Sequence, residues 1–397
     1  MFRVEPFYAS PDLRKLPTPF YVYDLAGLCH RVNVLKQTLP SNAHIHFAMK
    51  SNNNLDILQV LHKQDLGVDL VSMGEMRRAH EAGFTSQQMI FSGVGKTVEE
   101  ISFALEHDIH QINVESLPEL ERIADIAERS KKHARVALRM NPDIDVDTHP
   151  YIRTGFHENK FGFDFSEVAR AAEILKSHAD TLTLQGLTLH IGSQIRNLTA
   201  FREAIRKTLK LWQELKHQNF PLCSFDVGGG LGIDYLSGDL RKDEQLIVAY
   251  GEMLKVEVAP FVERIDLEPG RILIARFGAL ITEVQYVKCT PYKNFLIVDA
   301  GMNALLRPAL YEAHHRIVRI STGDLSGDEP RERESSQIFD IVGPICESAD
   351  VLGFERVMPA ETKAGDRLAV LDVGAYGHVM SSGYNLRDPV KEYTLER

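Results

Sequence analysis

The sequence predicts an α/β fold in which an N-terminal (β/α)8 barrel is followed by a C-terminal all-β domain of sandwich or Greek-key type. From about residue 43, short β-rich runs alternate with longer helix-like stretches about eight times. After about residue 275 the segments are strand-like and separated by turns, with few convincing helical patterns. Repeated strand–helix alternation is typical of a barrel of parallel strands, and strands joined by turns are typical of a β domain.

The barrel strands are predicted from short runs that are rich in β-branched and apolar residues. These runs are HIHFAM (44–49), VDLVS (68–72), MIFSG (89–93), QINVE (111–115), RVALRM (135–140), LTLHIG (187–192), SFDVG (224–228) and RIDLEP (264–269). Between them, segments such as LDILQVLHKQ (55–64) and FREAIRKTLKLWQELKHQ (201–218) have apolar residues at helical spacing.

The β domain is predicted from strand-like runs near the C-terminus: ALITEVQYVKC (279–289), NFLIVDAG (294–301), QIFDIVGPIC (337–346) and DRLAVLDVG (366–374). The early run PTPFYVYDLAGL (17–28) is also strand-like and is expected to join this domain. We therefore assign residues 30–275 to the barrel, and residues 1–29 with 276–397 to the β domain. The polar, turn-rich segment 321–337 is predicted to be a solvated loop.

The composition predicts a globular protein of the cytoplasm. The 397 residues are 44% hydrophobic and 25% charged, and the formal net charge of -10 argues against a broad electrostatic contact with nucleic acid or anionic lipid. No apolar run approaches the roughly 20 residues that cross a bilayer, and the N-terminus lacks a secretory-signal pattern. The 4 cysteines are far apart and form no CxxC pair, which fits a reducing compartment.

Polar and charged residues occupy the ends of most predicted barrel strands. Active sites of such barrels lie at the carboxyl ends of the strands, so their concurrence predicts a site there. They are Lys50, Ser72, Ser92, Glu115, Asn141, His190, Gly228 to Gly230 and the stretch Glu268 to Arg271.

Four of these strand ends suggest specific chemistry. Lys50 is either an amine nucleophile toward an aldehyde or an ordinary solvated lysine, and its position alone leaves both open. The glycine run 225–235 and the EPGR stretch 268–271 follow the seventh and eighth strands, where barrels often bind phosphate. Glu268 has a second use, because a carboxylate beside a pyridine nitrogen keeps that nitrogen protonated. His190 could stack on a flat ring or only fill space.

No metal site is predicted. His44 and His46 form an HxH pair on one strand, but no third and fourth ligands appear at suitable spacing. The adjacent side chains of His314 and His315 should diverge, which makes them surface or interface residues.

In the β domain, a thiol precedes a carboxylate in GPICESAD (343–350), and a cysteine between apolar residues is more often inert core than catalyst. Tyr376 lies between glycines, in a turn that could project its phenol toward a ligand.

The chain resembles the diaminopimelate decarboxylases in many short motifs. They are FAMKSN, VDLVSMGE, FSGVGK, HPYIRTGFHENKFG, LHIGSQ, DVGGGLG, EPGR, DAGMNALLRPALY, GPICES and GAYG…MSSGYN, in the family's order between about residues 17 and 390. This family belongs to the alanine-racemase-like enzymes that use pyridoxal 5'-phosphate (PLP), with a barrel followed by a β domain. The resemblance implies decarboxylation of meso-2,6-diaminopimelate to L-lysine and CO2, the last step of lysine biosynthesis.

The resemblance also implies roles for individual residues. Lys50 would hold PLP through a Schiff base, His190 would stack on the pyridine face, and Glu268 would pair with the ring nitrogen. Other residues of the same motifs would complete the cofactor site, namely Asp69, Ser193, Gly229, Gly230, Pro269, Gly270, Arg271 and Tyr376. The substrate would be bound by Arg271, Arg307, Tyr311, Glu347 and Tyr376. Cys346 would be the proton donor and would complete the catalytic set of Lys50, His190 and Glu268.

Assembly follows from the same resemblance. Cys346 and Glu347 are expected to come from the partner subunit, which implies an obligate homodimer with its active sites at the interface. The C-terminal signature departs from the family's YN-x-RP, because it reads YNLRDP (384–389) with Asp388 inserted. This departure leaves open how the last strand docks.

Three other functions compete with this interpretation. The same scaffold could decarboxylate ornithine, lysine, arginine or carboxynorspermidine, although Arg271 and Arg307 suit a second carboxylate. An amino-acid racemase is disfavoured by the GPICES and GAYG motifs. A catalytically silent binding protein is disfavoured because Lys50, Glu268 and Cys346 are all present.

Overall fold

The structure is a computed structural model that describes residues 11–144, 160–320 and 335–395. Its described residues divide into two compact units. One unit draws on Arg31–Ile233 and Asp243–Ile272, and the other on Met1–His30, Asp234–Lys242 and Leu273–Arg397.

The strands, in chain order, are β1 Phe20–Asp24, β2 Ala43–Ala48, β3 Gly67–Leu70, β4 Met89–Phe91, β5 Gln111–Val114, β6 Ala134–Met140, β7 Leu182–Leu189, β8 Ser224–Asp226, β9 Arg264–Leu267, β10 Gly278–Cys289, β11 Asn294–Val298, β12 Ile317–Ile320, β13 Ser336–Val342, β14 Val351–Pro359, β15 Arg367–Leu371 and β16 Lys391–Leu395. The α-helices are α1 Pro11–Arg14, α2 Leu25–Thr38, α3 Leu55–Lys63, α4 Met73–Ala82, α5 Val98–Glu106, α6 Leu117–Ser130, α7 Val168–Ser177, α8 Leu198–His217, α9 Leu240–Glu257, α10 Arg271–Ile274 and α11 Arg307–Tyr311.

The first unit is a closed barrel in which β2 to β9 pair in sequence order and β9 pairs with β2. All the pairings are parallel, which confirms the predicted (β/α)8 barrel and its strands. The sixth barrel strand, β7, differs most from its prediction. It begins at Leu182 and ends at Leu189, because it pairs with β6 from Ala134 onward and the chain leaves the sheet at His190.

The α-helices that follow β2, β3 and β4 each begin at a residue whose side chain caps the helix. These caps fix where the chain leaves each strand and turns into the helix. Asn54 accepts hydrogen bonds from two backbone N–H groups at the start of α3, and Ser72 accepts one from Glu75 at the start of α4. Thr97 forms a reciprocal capping box with Glu100 at the start of α5. Ser72 was predicted from the sequence to be one of the polar residues at the strand ends that form the active site. In the structure its side chain caps α4.

The second unit is built on a mixed sheet in the order β12-β15-β10-β11-β13-β14, and β1 joins it through β10. This confirms the predicted β domain and the expectation that the early strand joins it. That strand ends at Asp24, whose carboxylate accepts the N–H of Gly27, so the rest of the predicted run is helical. Phe20, Val22 and Ile281 contribute to the apolar core of this unit.

The sequence analysis missed three strands of this unit, β12, β14 and β16. The charged residues Glu355, which is exposed, and Arg356, which is half-buried, interrupt the apolar pattern of β14. The predicted loop 321–337 lies mostly outside the described residues, as do residues 149–159 of the HPYIRTGFHENKFG motif. In the described ranges, no helix combines the length and the apolar character that crossing a bilayer requires.

Candidate active site

Lys50 lies at the carboxyl end of the first barrel strand, in a short 3-10 turn, Met49–Ser51. Its Nζ donates a hydrogen bond of 2.7 Å to Oδ2 of Asp69, at the end of the adjacent strand β3. The Lys50 side chain is 33% exposed, whereas Asp69 is fully buried. Oδ1 of Asp69 has no hydrogen-bond partner within the described part of the chain. The side chain of Lys50 is thus oriented by its ion pair with Asp69, whereas a freely solvated lysine would have no fixed orientation.

Glu268 follows the last barrel strand and is buried. Its Oε1 accepts a hydrogen bond from Asn113 Nδ2 at 3.0 Å, and Ser92 Oγ lies at 3.5 Å. Burial raises the pKa of Glu268 well above its usual range, and the negative charges of Asp226 and Asp69 add to this effect. The positive charge of Lys50 opposes this rise in the pKa of Glu268.

His190 follows β7 and presents an imidazole ring at the same end of the barrel. Its Nδ1 accepts the backbone N–H of Gly229 at 3.3 Å, so this nitrogen carries no proton. Burial lowers the pKa of His190 well below its usual range, and the positive charges of Arg139 and Lys50 lower it further. The ring is therefore neutral and flat, as stacking on an aromatic ligand requires.

The glycine run after β8 brings backbone close to neighbouring backbone. A Cβ on Gly229 would lie 2.3 Å from the carbonyl oxygen of Glu268, and one on Gly230 would lie 2.3 Å from that of Gly192. Gly230 also has φ +104°, a conformation that side chains disfavour. This turn can therefore bring backbone N–H groups to an anion at short range.

The EPGR stretch packs against the segment that carries Lys50. The Pro269 carbonyl accepts the N–H of Ala48 at 3.2 Å, and a Cβ on Gly270 would lie 2.9 Å from Ser51 Oγ. Arg271 begins α10 and donates from Nη2 to Ser193 Oγ at 2.9 Å. The predicted cofactor residues of the barrel are therefore all located at the carboxyl ends of its strands.

The predicted site residues of the β unit form two groups. In the first, Arg307 begins α11, and its guanidinium lies 4.7 Å from the ring centre of Tyr235. Nη1 of Arg307 donates to His315 Nε2 at 2.7 Å, because His315 Nδ1 must donate to the Leu371 carbonyl at 2.9 Å. The expectation that His315 is a surface or interface residue is wrong: it is fully buried and orients Arg307. Tyr311 is the last residue of the same helix.

The second group surrounds Cys346, which is exposed and does not belong to the core. Its backbone N–H donates to Asn385 Oδ1 at 3.0 Å. The hydrogen bond between Tyr384 and Glu347 raises the pKa of Tyr384. Buried Asp350 accepts the N–H groups of Met302 and Ile345 at 2.5 and 2.6 Å, which fixes this loop.

Tyr376 also belongs to the β unit and has φ +57° in its glycine-flanked turn.

The two histidine pairs have structural partners. His46 is buried and its Nε2 lies 2.9 Å from Asp266 Oδ1, while His314 Nδ1 lies 2.7 Å from Arg356 Nη1. The divergence predicted for the His314 and His315 side chains is confirmed by their different partners. No cluster of three or more His, Cys, Asp or Glu suited to a metal was found in the described ranges.

Sequence reasoning missed several residues of the site. Asn113 and Asp226 lie inside strand runs, where period-2 alternation could have indicated that both point away from the helices. Arg139 pairs with Glu115 at 2.7 Å and acts on His190 through its charge. Only the fold brings these residues to one end of the barrel.

Comparison with known proteins agrees with this geometry. Residues 25–275 match the family model described as pyridoxal-dependent decarboxylase, pyridoxal binding domain. The chain is 40% identical over 379 residues to diaminopimelate decarboxylase of Aquifex aeolicus, covering 96% of this chain and 87% of the relative. It is 41% identical over 380 residues to that of Haemophilus influenzae, covering 96% and 88%.

A solved structure gives the same result. The crystal structure of diaminopimelate decarboxylase from Helicobacter pylori complexed with L-lysine has a TM-score of 0.88 and 38% identity, covering 96% of this chain and 93% of that one. Sequence and fold thus match over nearly the full length of both chains. The chain therefore belongs to the diaminopimelate decarboxylase family of pyridoxal-dependent decarboxylases.

Proposed function

We propose that this protein catalyses the PLP-dependent decarboxylation of meso-2,6-diaminopimelate to L-lysine and CO2. The observation that carries the proposal is the meeting of the Lys50–Asp69 pair with the buried acid Glu268 at one end of the barrel. Relatives named diaminopimelate decarboxylase, and a related structure complexed with L-lysine, support the choice of substrate and product.

The barrel residues fit PLP. Lys50 supplies the amine for its aldehyde, and Glu268 supplies an acid for its ring nitrogen. Gly230 of the glycine turn and Arg271 would supply N–H donors for its phosphate, and His190, oriented by the Gly229 N–H, would supply a neutral ring for its face. Asp69 Oδ1, buried without a partner in the described ranges, has acceptor capacity to spare for a donor at this site. We propose as cofactor-binding residues Lys50, Asp69, His190, Ser193, Gly229, Gly230, Glu268, Pro269, Gly270, Arg271 and Tyr376.

When bound, PLP supplies a protonated ring that accepts the electron pair left behind by the departing carboxylate. Asp69 holds the Lys50 amine toward the site. Glu268 would lie beside the ring nitrogen and supply the acid that keeps it protonated. His190 stays neutral, so it adds no positive charge against the ring. Cys346 donates a proton to the carbon that lost the carboxylate.

Substrate selection is proposed to depend on the β unit. Arg307, oriented by His315 and Tyr235, would bind the far carboxylate of the substrate together with Arg271, Tyr311 and Tyr376. Glu347 would bind the far ammonium group. A substrate without a second carboxylate would forgo the charge-assisted hydrogen bonds to Arg271 and Arg307, which favours diaminopimelate over ornithine, lysine, arginine and carboxynorspermidine.

We propose that the enzyme is a cytoplasmic homodimer in which Cys346 and Glu347 complete the site of the partner subunit. Their exposure on a loop anchored by Asp350 supports this proposal. We further propose residues 30–275 as the PLP-binding domain, and residues 1–29 with 276–397 as the β domain.

The test of the reaction is lysine production by the purified protein with meso-diaminopimelate and PLP. We expect lysine and CO2 in equal amounts, and no CO2 from ornithine, lysine, arginine or carboxynorspermidine. Lys50→Ala should abolish both turnover and the yellow colour of the bound cofactor. CO2 release from one of the other amino acids in preference to diaminopimelate would contradict the assignment of substrate.

The shared site is tested by mixing two inactive variants, Lys50→Ala and Cys346→Ala. If each site uses Lys50 of one subunit and Cys346 of the other, a mixed dimer has one intact site. Random mixing should then restore about a quarter of the parent activity. No recovery after verified subunit exchange would show that both residues act within one subunit.

A further inference from the structure

We propose that Gln185, Gln111 and Asn113 form a one-way chain of side-chain hydrogen bonds through the barrel interior that determines which oxygen of Glu268 carries its proton. The three are positioning residues, because they act on the cofactor through Glu268. The inference rests on the proposed function, since Glu268 matters here as the acid beside the PLP ring nitrogen. None of the three was predicted to be a site residue.

The chain is continuous and buried. Gln185 Nε2 donates to Gln111 Oε1 at 3.0 Å, and Gln111 Nε2 donates to Asn113 Oδ1 at 2.7 Å. Asn113 Nδ2 donates to Glu268 Oε1 at 3.0 Å. Every one of these side chains is buried. Since β5 and β9 are on opposite sides of the closed barrel, the link from Asn113 to Glu268 crosses its interior.

A backbone carbonyl sets the direction of the chain. Gln185 Nε2 also donates to the carbonyl oxygen of His110 at 3.1 Å, and a carbonyl can only accept. Gln185 must therefore present its NH2 group at this end. Gln111 then has to present its oxygen to Gln185 and its NH2 to Asn113, which in turn presents NH2 to Glu268. No amide can flip without placing two donors or two acceptors face to face.

Glu268 receives two donors at one oxygen. Besides Asn113, the Ser92 hydroxyl faces Oε1 at 3.5 Å, and this hydroxyl itself accepts from Asn113 Nδ2 at 3.0 Å. An oxygen that faces donors is the carbonyl oxygen of a carboxylic acid, so the proton belongs on Oε2. When Glu268 is ionised, the same donors would stabilise its carboxylate beside Asp226, which shares a side-chain hydrogen bond with Glu268, and near the charge of Asp69.

The chain lies near a second polar network of the barrel and, among the described residues, shares no hydrogen bond with it. Gly186 in β7 has no side chain, and a Cβ there would lie 3.4 Å from Gln111 Oε1 and 2.5 Å from the Ser224 carbonyl oxygen. A second buried network joins His46 and Ser224 to Asp266. Over the described residues, no hydrogen bond links Asp266 to Gln111 or Asn113. Ser224→Ala therefore removes a buried hydroxyl of the barrel and leaves the hydrogen bonds of Gln185, Gln111 and Asn113 in place.

The experiment compares the holoenzyme with Asn113→Leu, Gln111→Met and Gln185→Met, with Ser224→Ala as the matched control. Each protein is loaded with PLP that carries nitrogen-15 in its ring, and the nitrogen chemical shift reports protonation of the ring. The equilibrium dissociation constant for PLP and the separate values of kcat and KM are measured on the same samples.

We expect a protonated ring in the parent and in Ser224→Ala. In the three amide variants, the nitrogen chemical shift should move toward the value of an unprotonated ring. The change should be largest for Asn113→Leu, smaller for Gln111→Met and smallest for Gln185→Met, because a substitution farther from Glu268 leaves more of the hydrogen-bond chain intact. kcat should fall about tenfold for Asn113→Leu with KM for the substrate little changed, as for loss of a hydrogen bond to a charged group. PLP should bind less tightly in the same order.

Two outcomes would overturn the inference. In one, the chain variants keep the parent chemical shift while losing only thermal stability, which would mean that the amides serve packing alone. In the other, Ser224→Ala shifts the signal as far as Gln111→Met, which would mean that any polar loss in the barrel has this effect. If the parent protein binds no PLP at Lys50, the proposed function itself is wrong, and this result is distinguishable from both. If Asn113→Leu does not fold, the two remote variants still decide the matter.

Discussion

Lys50 and Glu268 show how neighbouring charges at one barrel end give two side chains opposite tasks. Asp69, fully buried, holds the Lys50 ammonium at 2.7 Å and orients it. Burial, Asp226 and Asp69 raise the pKa of Glu268 well above its usual range, which makes it a better proton donor than an ordinary glutamic acid near neutral pH. An oriented lysine and an acid of raised pKa suit the aldehyde and the ring nitrogen of the cofactor proposed to bind here.

Gly229→Ala should weaken PLP binding at least about tenfold, because the added Cβ would lie 2.3 Å from the Glu268 carbonyl oxygen and displace the glycine turn that we propose binds the phosphate. Gly95→Ala is the control, since a Cβ there meets nothing within 4 Å. Titration of each protein with PLP, followed by absorbance, measures the effect. Equal affinities for the two variants would show that the turn does not contact the phosphate.

Replacing His110 should change how stability depends on pH. Burial and the positive charge of Arg264 lower the pKa of His110 to about 4 from the usual 6.5. Between these values the unfolded chain binds more protons at His110 than the folded one, so the free energy of unfolding falls as the pH falls. We expect His110→Gln to remove about 2 kcal/mol of that fall between about pH 7 and pH 4.5, as measured by chemical unfolding. Parallel curves for parent and variant would contradict this.

At the scale of elements, the loops of the β unit are held by side chains that cap backbone groups. Asp350 joins the turn at Met302 to the Cys346 loop, and Asn385, with φ +55°, accepts the Cys346 N–H. The inserted Asp388 is exposed and does not prevent docking of the last strand. That strand, β16, pairs in parallel with β1 from Phe20 to Asp24.

Asp350→Asn should destabilise the β unit by about 2 kcal/mol, because an amide NH2 would face one of the two backbone N–H groups that the carboxylate now accepts. kcat should fall as well, since Cys346 would lose its defined position. Thermal unfolding and the lysine assay measure the two effects. Exposed Asp388→Asn serves as control, and an Asp350 variant as stable and active as this control would refute the role of Asp350.

At the scale of the whole molecule, long-range pairs inside each unit hold distant parts of the sequence together. In the β unit, the buried Arg276 pairs with the buried Asp372 at 3.1 Å and donates to the Asp234 carbonyl at 2.7 Å. Arg316 also pairs with Asp372 at 3.1 Å. These contacts tie the segment Asp234–Lys242 to the sheet of its unit.

Arg276→Met should lower the free energy of unfolding by about 2–4 kcal/mol, because it leaves Asp372 buried with one cation in place of two. Denaturant unfolding measures the loss. Arg206→Met removes an exposed ion pair with Glu257 and should have no measurable effect. Similar losses for both variants would mean that burial of the Arg276 pair has no special importance.

The sequence by itself determined the barrel, most of the β domain and the residues at the strand ends. Strand–helix alternation is a local pattern, and in a parallel barrel it places every strand end on one face, so Lys50, His190 and Glu268 could be expected together. Short motifs were enough to indicate the family, because each motif is contiguous in the sequence and can be read without the fold.

Only the tertiary structure decided which residues meet across the barrel and which strands pair in the β unit. Alternation tells which side of a strand a residue occupies, but not which side chain lies opposite it inside a closed barrel. The contact of Asn113 with Glu268, the raised pKa of Glu268 beside Asp226, and the support of Arg307 by buried His315 all depend on such long-range pairs. Their energies come from burial and from hydrogen bonds between distant segments, which no local pattern records.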